Sequence, residues 1–153
     1  MTQCKVQSDE CKVQNVGEGT GMATTRVEND ALEDRLLEFA SRCGKVVDAL
    51  PDTRMGRHVA GQLVRCGTSA APNYAEACAA ESRADFIHKL RIALKELHES
   101  RVWLKLCVKS QLLPSSRLVP LKDECTQLVN ILGKSIVTAK SNGTKRNRTP
   151  QQE

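Results

Sequence analysis

Apolar residues recur along this chain in steps of four and three, a period that leaves little choice of fold. In the first segment Leu32, Leu36, Phe39, Cys43, Val46 and Leu50 follow one another at 4, 3, 4, 3 and 4 residues. That is the seam of a helix with one buried face, not the two-residue alternation of a strand. Asn29 or Asp30 is placed to cap this helix, and Pro51-Asp52 ends it. A second helix is predicted from about Met55 to Ala80, its seam running through Val59, Leu63, Cys66, Ala70, Tyr74 and Ala77. Gly67 and Pro72 lie inside it, and a kink is expected because Pro72 cannot donate to the carbonyl of Thr68. Ser82 caps a third helix, about Arg83 to Leu112, with Phe86, Leu90, Ala93, Leu97, Leu104 and Cys107 inward and Pro114 as its stop. The fourth begins near Ser116 to Val119 and uses Leu121, Cys125, Leu128, Leu132 and Ile136. Long helices joined by connections of a few residues predict an all-α, antiparallel up-down-up-down four-helix bundle over residues 30–141.

The ends lack this order. Residues 1–29 hold Gly17-Glu18-Gly19-Thr20-Gly21 and a repeat, Cys4-Lys5-Val6-Gln7 and Cys11-Lys12-Val13-Gln14, and read as a disordered extension. Met22 opens a conventional-looking start, so Met1 and Met22 both stand as candidate initiators. Residues 142–153 combine Asn-Gly, Lys145, Arg146, Arg148 and Pro150 and read as a disordered basic tail. No apolar run approaches the roughly 18 residues of a membrane span, and the polar Met1-Thr2-Gln3-Cys4-Lys5 does not resemble a secretory signal. A cytoplasmic protein with no membrane partner is expected. Its 7 cysteines form no C-x-x-C pair, and in a reducing compartment those on the helices behave as small apolar residues, which argues against a disulfide scaffold or zinc finger.

The net charge is +5, and it is uneven: residues 1–30 carry three basic and five acidic side chains, which leaves twenty basic and thirteen acidic on the remainder. A basic folded part points toward a polyanion. Advancing the third helix by about 100° per residue places Arg91, Lys95, His98, Lys105 and Lys109 on one outward stripe roughly 30 Å long, a spacing able to track a phosphate backbone. A solvated cationic face is the competing reading. On the flank of the core the same projection gathers Asp85, Lys89, Glu96, Glu99 and Trp103, the chain's one tryptophan. An aromatic among charges suits a subunit interface; it equally suits a ring lying under the stems of Lys89 or Lys105 of its own chain.

Gly67-Thr68-Ser69, Asn73-Tyr74, Glu76-Ala77, Ser82-Arg83-Ala84-Asp85-Phe86, Lys89-Leu90, Lys95-Glu96, Glu99 and Trp103-Leu104 fall in order across the junction of the second and third helices. In these the chain resembles the bacterial four-helix-bundle family whose early members were found encoded in intervening sequences of 23S ribosomal RNA genes, over roughly residues 31–139. It is similar to the branch with Asn-Tyr and Glu-Ala rather than Asn-Ile-Ala-Glu-Gly, and has Pro72 where a small flexible residue is often found. The resemblance implies a homopentamer related to accessory subunits of diversity-generating retroelements, basic pentamers that bind reverse transcriptase and nucleic acid; it does not imply an enzyme. By residue chemistry, Ser69, Asn73, Glu76 and Ala80 recur at 4, 3 and 4 and form a stripe able to face Arg83, Lys89 or Lys95 across the turn, where paired charges fix register.

Arg83 and His88 have a spacing seen in some helical metal-independent ribonucleases, with His as acid or base and Arg at the phosphate. In a chain this basic such a pair arises readily by chance. The Glu-x-x-His pairs of di-iron bundles, glycine-rich phosphate loops and nucleophile elbows are absent from the sequence, and no cofactor or metal is expected. The reading is a non-catalytic oligomeric adaptor. Arg91, Lys95, Lys105 and Lys109, with Lys145, Arg146 and Arg148, would hold RNA or DNA without strong sequence preference, and Asn73, Glu76, Asp85, Lys89, Glu96, Glu99 and Trp103 would form an oligomer interface or structural motif. The alternatives are a scaffold for a protein partner and, further off, a ribonuclease using Arg83 and His88.

Overall fold

The computed structural model describes residues 20–146, with side chains from Asn29 to Ser141. They form α1 (Thr20–Ala49), α2 (Arg54–Cys78), α3 (Arg83–Lys109) and α4 (Ser115–Arg146). The three short connections oblige successive helices to run antiparallel. Each helix packs on its two neighbours around a square, with α2–α3 the broadest seam and α1–α4 the thinnest, and among the described residues the backbones of the diagonal pairs stay apart. The fold is thus an all-α four-helix bundle.

Two boundaries differ from expectation. Asn29 and Asp30 do not cap α1 but lie inside it, nine and ten residues beyond its start at Thr20. A side chain suited to capping is worth only about 1 kcal/mol, too little to stop a helix whose backbone can continue. Likewise α4 runs on to Arg146, through the first residues assigned to the tail. The disorder expected for residues 1–19 and 147–153 lies outside the described residues. α2 continues through Pro72 without interruption, and because Pro72 is exposed, water can reach the carbonyl that it leaves unpaired.

The seams are the core. Leu36, Phe39 and Cys43 of α1, Val59, Leu63 and Cys66 of α2, Leu90, Leu97 and Leu104 of α3, and Leu121, Leu128 and Leu132 of α4 are buried, whereas Phe86 is only partly covered. α1 and α2 approach so closely that a Cβ on Gly67 would come 2.9 Å from Cys43 Cβ. In the preceding turn a Cβ on Gly56 would lie 2.0 Å from the Pro51 carbonyl oxygen, so only glycine lets α2 begin there. Thr53 caps α2 by accepting from the Gly56 amide at 3.0 Å, and Ser82 caps α3 by accepting from the Asp85 amide at 3.1 Å. At the other end of α3 the Leu112 amide donates to Cys107 O and the Gln111 amide to Val108 O, with Gln111 left-handed at φ 51°. This is a Schellman stop built without its usual glycine.

Candidate nucleic-acid interface

The face of α3 that turns away from the core carries Arg91, Lys95, Lys105 and Lys109, all exposed. None has a carboxylate within ion-pairing distance among the described residues. Their charge is therefore unneutralised, and in place of acids the row contains Val102, 59% exposed. His98 sits at its edge, within 3.0 Å of the Arg101 guanidinium through Nδ1. Partial burial, helped by that cation, holds the His98 imidazole below its ordinary pKa, so it adds a hydrogen-bonding group and not a charge at neutral pH. Lys145 and Arg146 close α4, in a stretch whose side chains are not described, and Arg148 lies outside the described residues.

Between α3 and α4 a groove of about 640 Å³ opens beside this row, lined by Leu94, His98, Val129, Asn130, Lys134 and Val137 among others. Val137 is 66% exposed, the highest of the large apolar side chains described. Nothing in the sequence marks the groove: each residue is ordinary by itself, and only the packing of α3 against α4 assembles them.

The charged flank lies at the α2–α3 seam, where its groups find partners within the chain. Lys89 Nζ pairs with Glu76, the contact expected across the turn, and the Glu76 carboxylate raises the Lys89 pKa. Glu99 pairs with Arg65 and also accepts from Trp103 Nε1 at 3.4 Å. The Trp103 ring meets His58 of α2 edge to face, centroids 5.6 Å apart. Asn73 Nδ2 donates to the Ser69 carbonyl at 2.8 Å. Asp85 stands at the first turn of α3 beside the Ser82 cap, its side chain partly covered. Glu96 is half-buried, with Oε2 covered and unpartnered. Sequence reasoning missed His58 and Arg65. Both were legible in principle, since two antiparallel helices meeting at Glu81-Ser82 must pair residues at growing separations on either side of that turn.

Arg83 and His88 are both exposed, and no hydrogen bond joins them. Among the described residues no cluster of His, Cys, Asp or Glu is placed to hold a metal ion, and no helix is long and apolar enough to cross a membrane. Burial pushes the thiols of Cys43 and Cys66 up and that of Cys125 to about 12, so all three stay protonated; Cys125 Sγ–H donates to Leu97 O at 3.2 Å.

Comparison with known proteins places the chain beside a described family and a solved structure. A profile described as 23S rRNA-intervening sequence protein matches residues 30–134. Among solved structures, a protein of unknown function from the S23 ribosomal protein family of Bacteroides thetaiotaomicron is similar at 33% identity and a TM-score of 0.66, over 71% of this chain and 96% of that one. No curated protein matches.

Proposed function

Since the chain belongs to the 23S rRNA-intervening sequence protein family, we propose that it is a non-catalytic, self-associating adaptor that holds RNA or DNA by its phosphates. One observation carries this reading: Arg91, Lys95, Lys105 and Lys109 form an outward row whose cations have no ion-pair partner among the described residues. Cations left unpaired over such a length create a positive potential that a polyanion neutralises with release of its counterions. The row carries no aromatic ring for bases to stack on, so contacts are to the backbone and sequence preference is weak. Repetition of the row in an assembly adds avidity to modest binding by each subunit.

Anisotropy titration of the wild type and a Lys95→Ala, Lys105→Ala, Lys109→Ala variant with labelled RNA and duplex DNA tests this. The wild type is expected to bind both within about tenfold, with affinity falling steeply as salt rises. Loss of three phosphate contacts should flatten the log-log salt slope by about 0.9 per contact on duplex. No binding at about 50 mM salt, or equal binding by the variant, would reduce the row to a solvated face. The groove with exposed Val137 supports the second reading, a scaffold for a protein partner. Metal-independent RNA cleavage by the same sample, abolished in His88→Ala, would instead favour the ribonuclease reading.

A further inference from the structure

The three most exposed large apolar side chains described are Val137 at 66%, Val102 at 59% and Leu37 at 50%. Val137 lines the α3–α4 groove and Val102 stands in the cationic row of α3; Leu37 stands alone on the outer face of α1. Around Leu37 that face is acidic. Asp30, Asp34, Leu37, Ser41, Lys45 and Asp48 fall on one stripe at helical spacing with Glu38 beside it, all exposed, and its four acids outweigh the single lysine. None of its acids pairs with a cation among the described residues. The groove has the opposite character: an apolar floor of Leu94 and Val129, with exposed Lys134 on its wall and exposed Lys140 three residues beyond Val137. Gly133 opens the α4 side, where a Cβ would meet nothing within 4 Å, so a helix can approach the backbone closely.

We propose that the acidic face of α1 of one copy seats in the α3–α4 groove of the next. Leu37 would lie over Leu94, Val129 and Val137, with Asp34 and Glu38 against Lys134 and Lys140. This inference rests on the self-association in the proposal above and adds which surfaces make it. A two-fold contact of either face with itself would oppose like charges, so the contact is head to tail, the kind that closes a ring or extends a filament. α1 and α3 occupy opposite corners of the bundle, so each copy presents both halves at once. By helical geometry Arg91, Lys95 and Lys109 lie about 60–100° around α3 from Leu94 on the groove floor and stay available to nucleic acid, whereas Lys105 lies within about 20° of it.

Charge reversal tests the contact by light scattering at tens of micromolar protein and about 50 mM salt, with helical content by circular dichroism as the folding control. The wild type should be an oligomer. Asp34→Lys with Glu38→Lys should dissociate it, as should Lys134→Glu with Lys140→Glu, and all four together should restore the assembly. Leu37→Gln, uncharged and exposed, should weaken association by about tenfold or more. A monomeric wild type, a reversed pair that keeps the wild-type mass, or a fourfold variant that fails to reassemble while folded overturns the proposal. A monomer that still binds RNA would overturn this contact alone; an assembly held by it that binds no nucleic acid would overturn only the function proposed above.

Discussion

Gln111 is the residue held least comfortably. At φ 51° it occupies the left-handed position after α3, which costs a side-chain-bearing residue roughly 1 kcal/mol. Gln111→Gly keeps the Leu112-to-Cys107 stop and removes the steric cost, so we expect a gain of about 0.5–1 kcal/mol in denaturant unfolding. His98 gives a second test at this scale. The unfolded chain protonates the ring near its ordinary 6.5, while the folded chain resists until lower pH. Below about that value the unfolded state binds more protons, so stability falls as pH drops from 6.5 toward the folded pKa, then levels. His98→Gln should remove this part of the pH dependence between neutral and mildly acid solution, measured as the unfolding midpoint across that range.

The element that sets register is the α2–α3 hairpin. Its three lateral contacts, Glu76 to Lys89, Arg65 to Glu99 and His58 to Trp103, step outward from the Ser82 turn. The two ion pairs are largely solvated and are worth little each. The Trp103 ring is partly covered and is the larger contribution. Trp103→Ala should cost about 2 kcal/mol, less than a fully buried aromatic. Because the ring is satisfied within its own chain, the mass in solution should not change. A change in mass would move the subunit contact to this flank.

At the scale of the whole molecule, α1, α2, α3 and α4 each contribute one buried cysteine, Cys43, Cys66, Cys107 and Cys125, whereas Cys78 is exposed. These thiols report whether the four helices open together. In a variant with Cys4, Cys11 and Cys78 replaced by serine, the remaining four should react with a thiol reagent in one phase at the rate of global unfolding. Two phases would show part of the bundle opening separately. The place to look is the thin α1–α4 seam, held by Arg35, which donates to Glu124 at 2.6 and 3.0 Å and to Gln127 at 2.6 Å.

The sequence by itself determined the bundle, because a four-and-three period through Leu36, Phe39, Cys43, Leu63, Leu97 and Leu128 is local information, and burying such seams admits few arrangements. It also determined the cationic row of α3, since helical periodicity alone places Arg91, Lys95, Lys105 and Lys109 on one side. The start of α1 escaped it: the capping preference of Asn29 and Asp30 is weaker than the continuity of the helix around them. Only the tertiary structure decided which side chains meet across helices. Arg35 and Glu124 are 89 residues apart and Arg65 and Glu99 are 34 apart, so their pairing depends on the register and rotation of whole helices. The same is true of the α3–α4 groove. Leu94, Val129 and Val137 form one surface only once core packing has fixed how far α3 and α4 turn toward each other, a quantity set by interlocking volumes that no local pattern encodes.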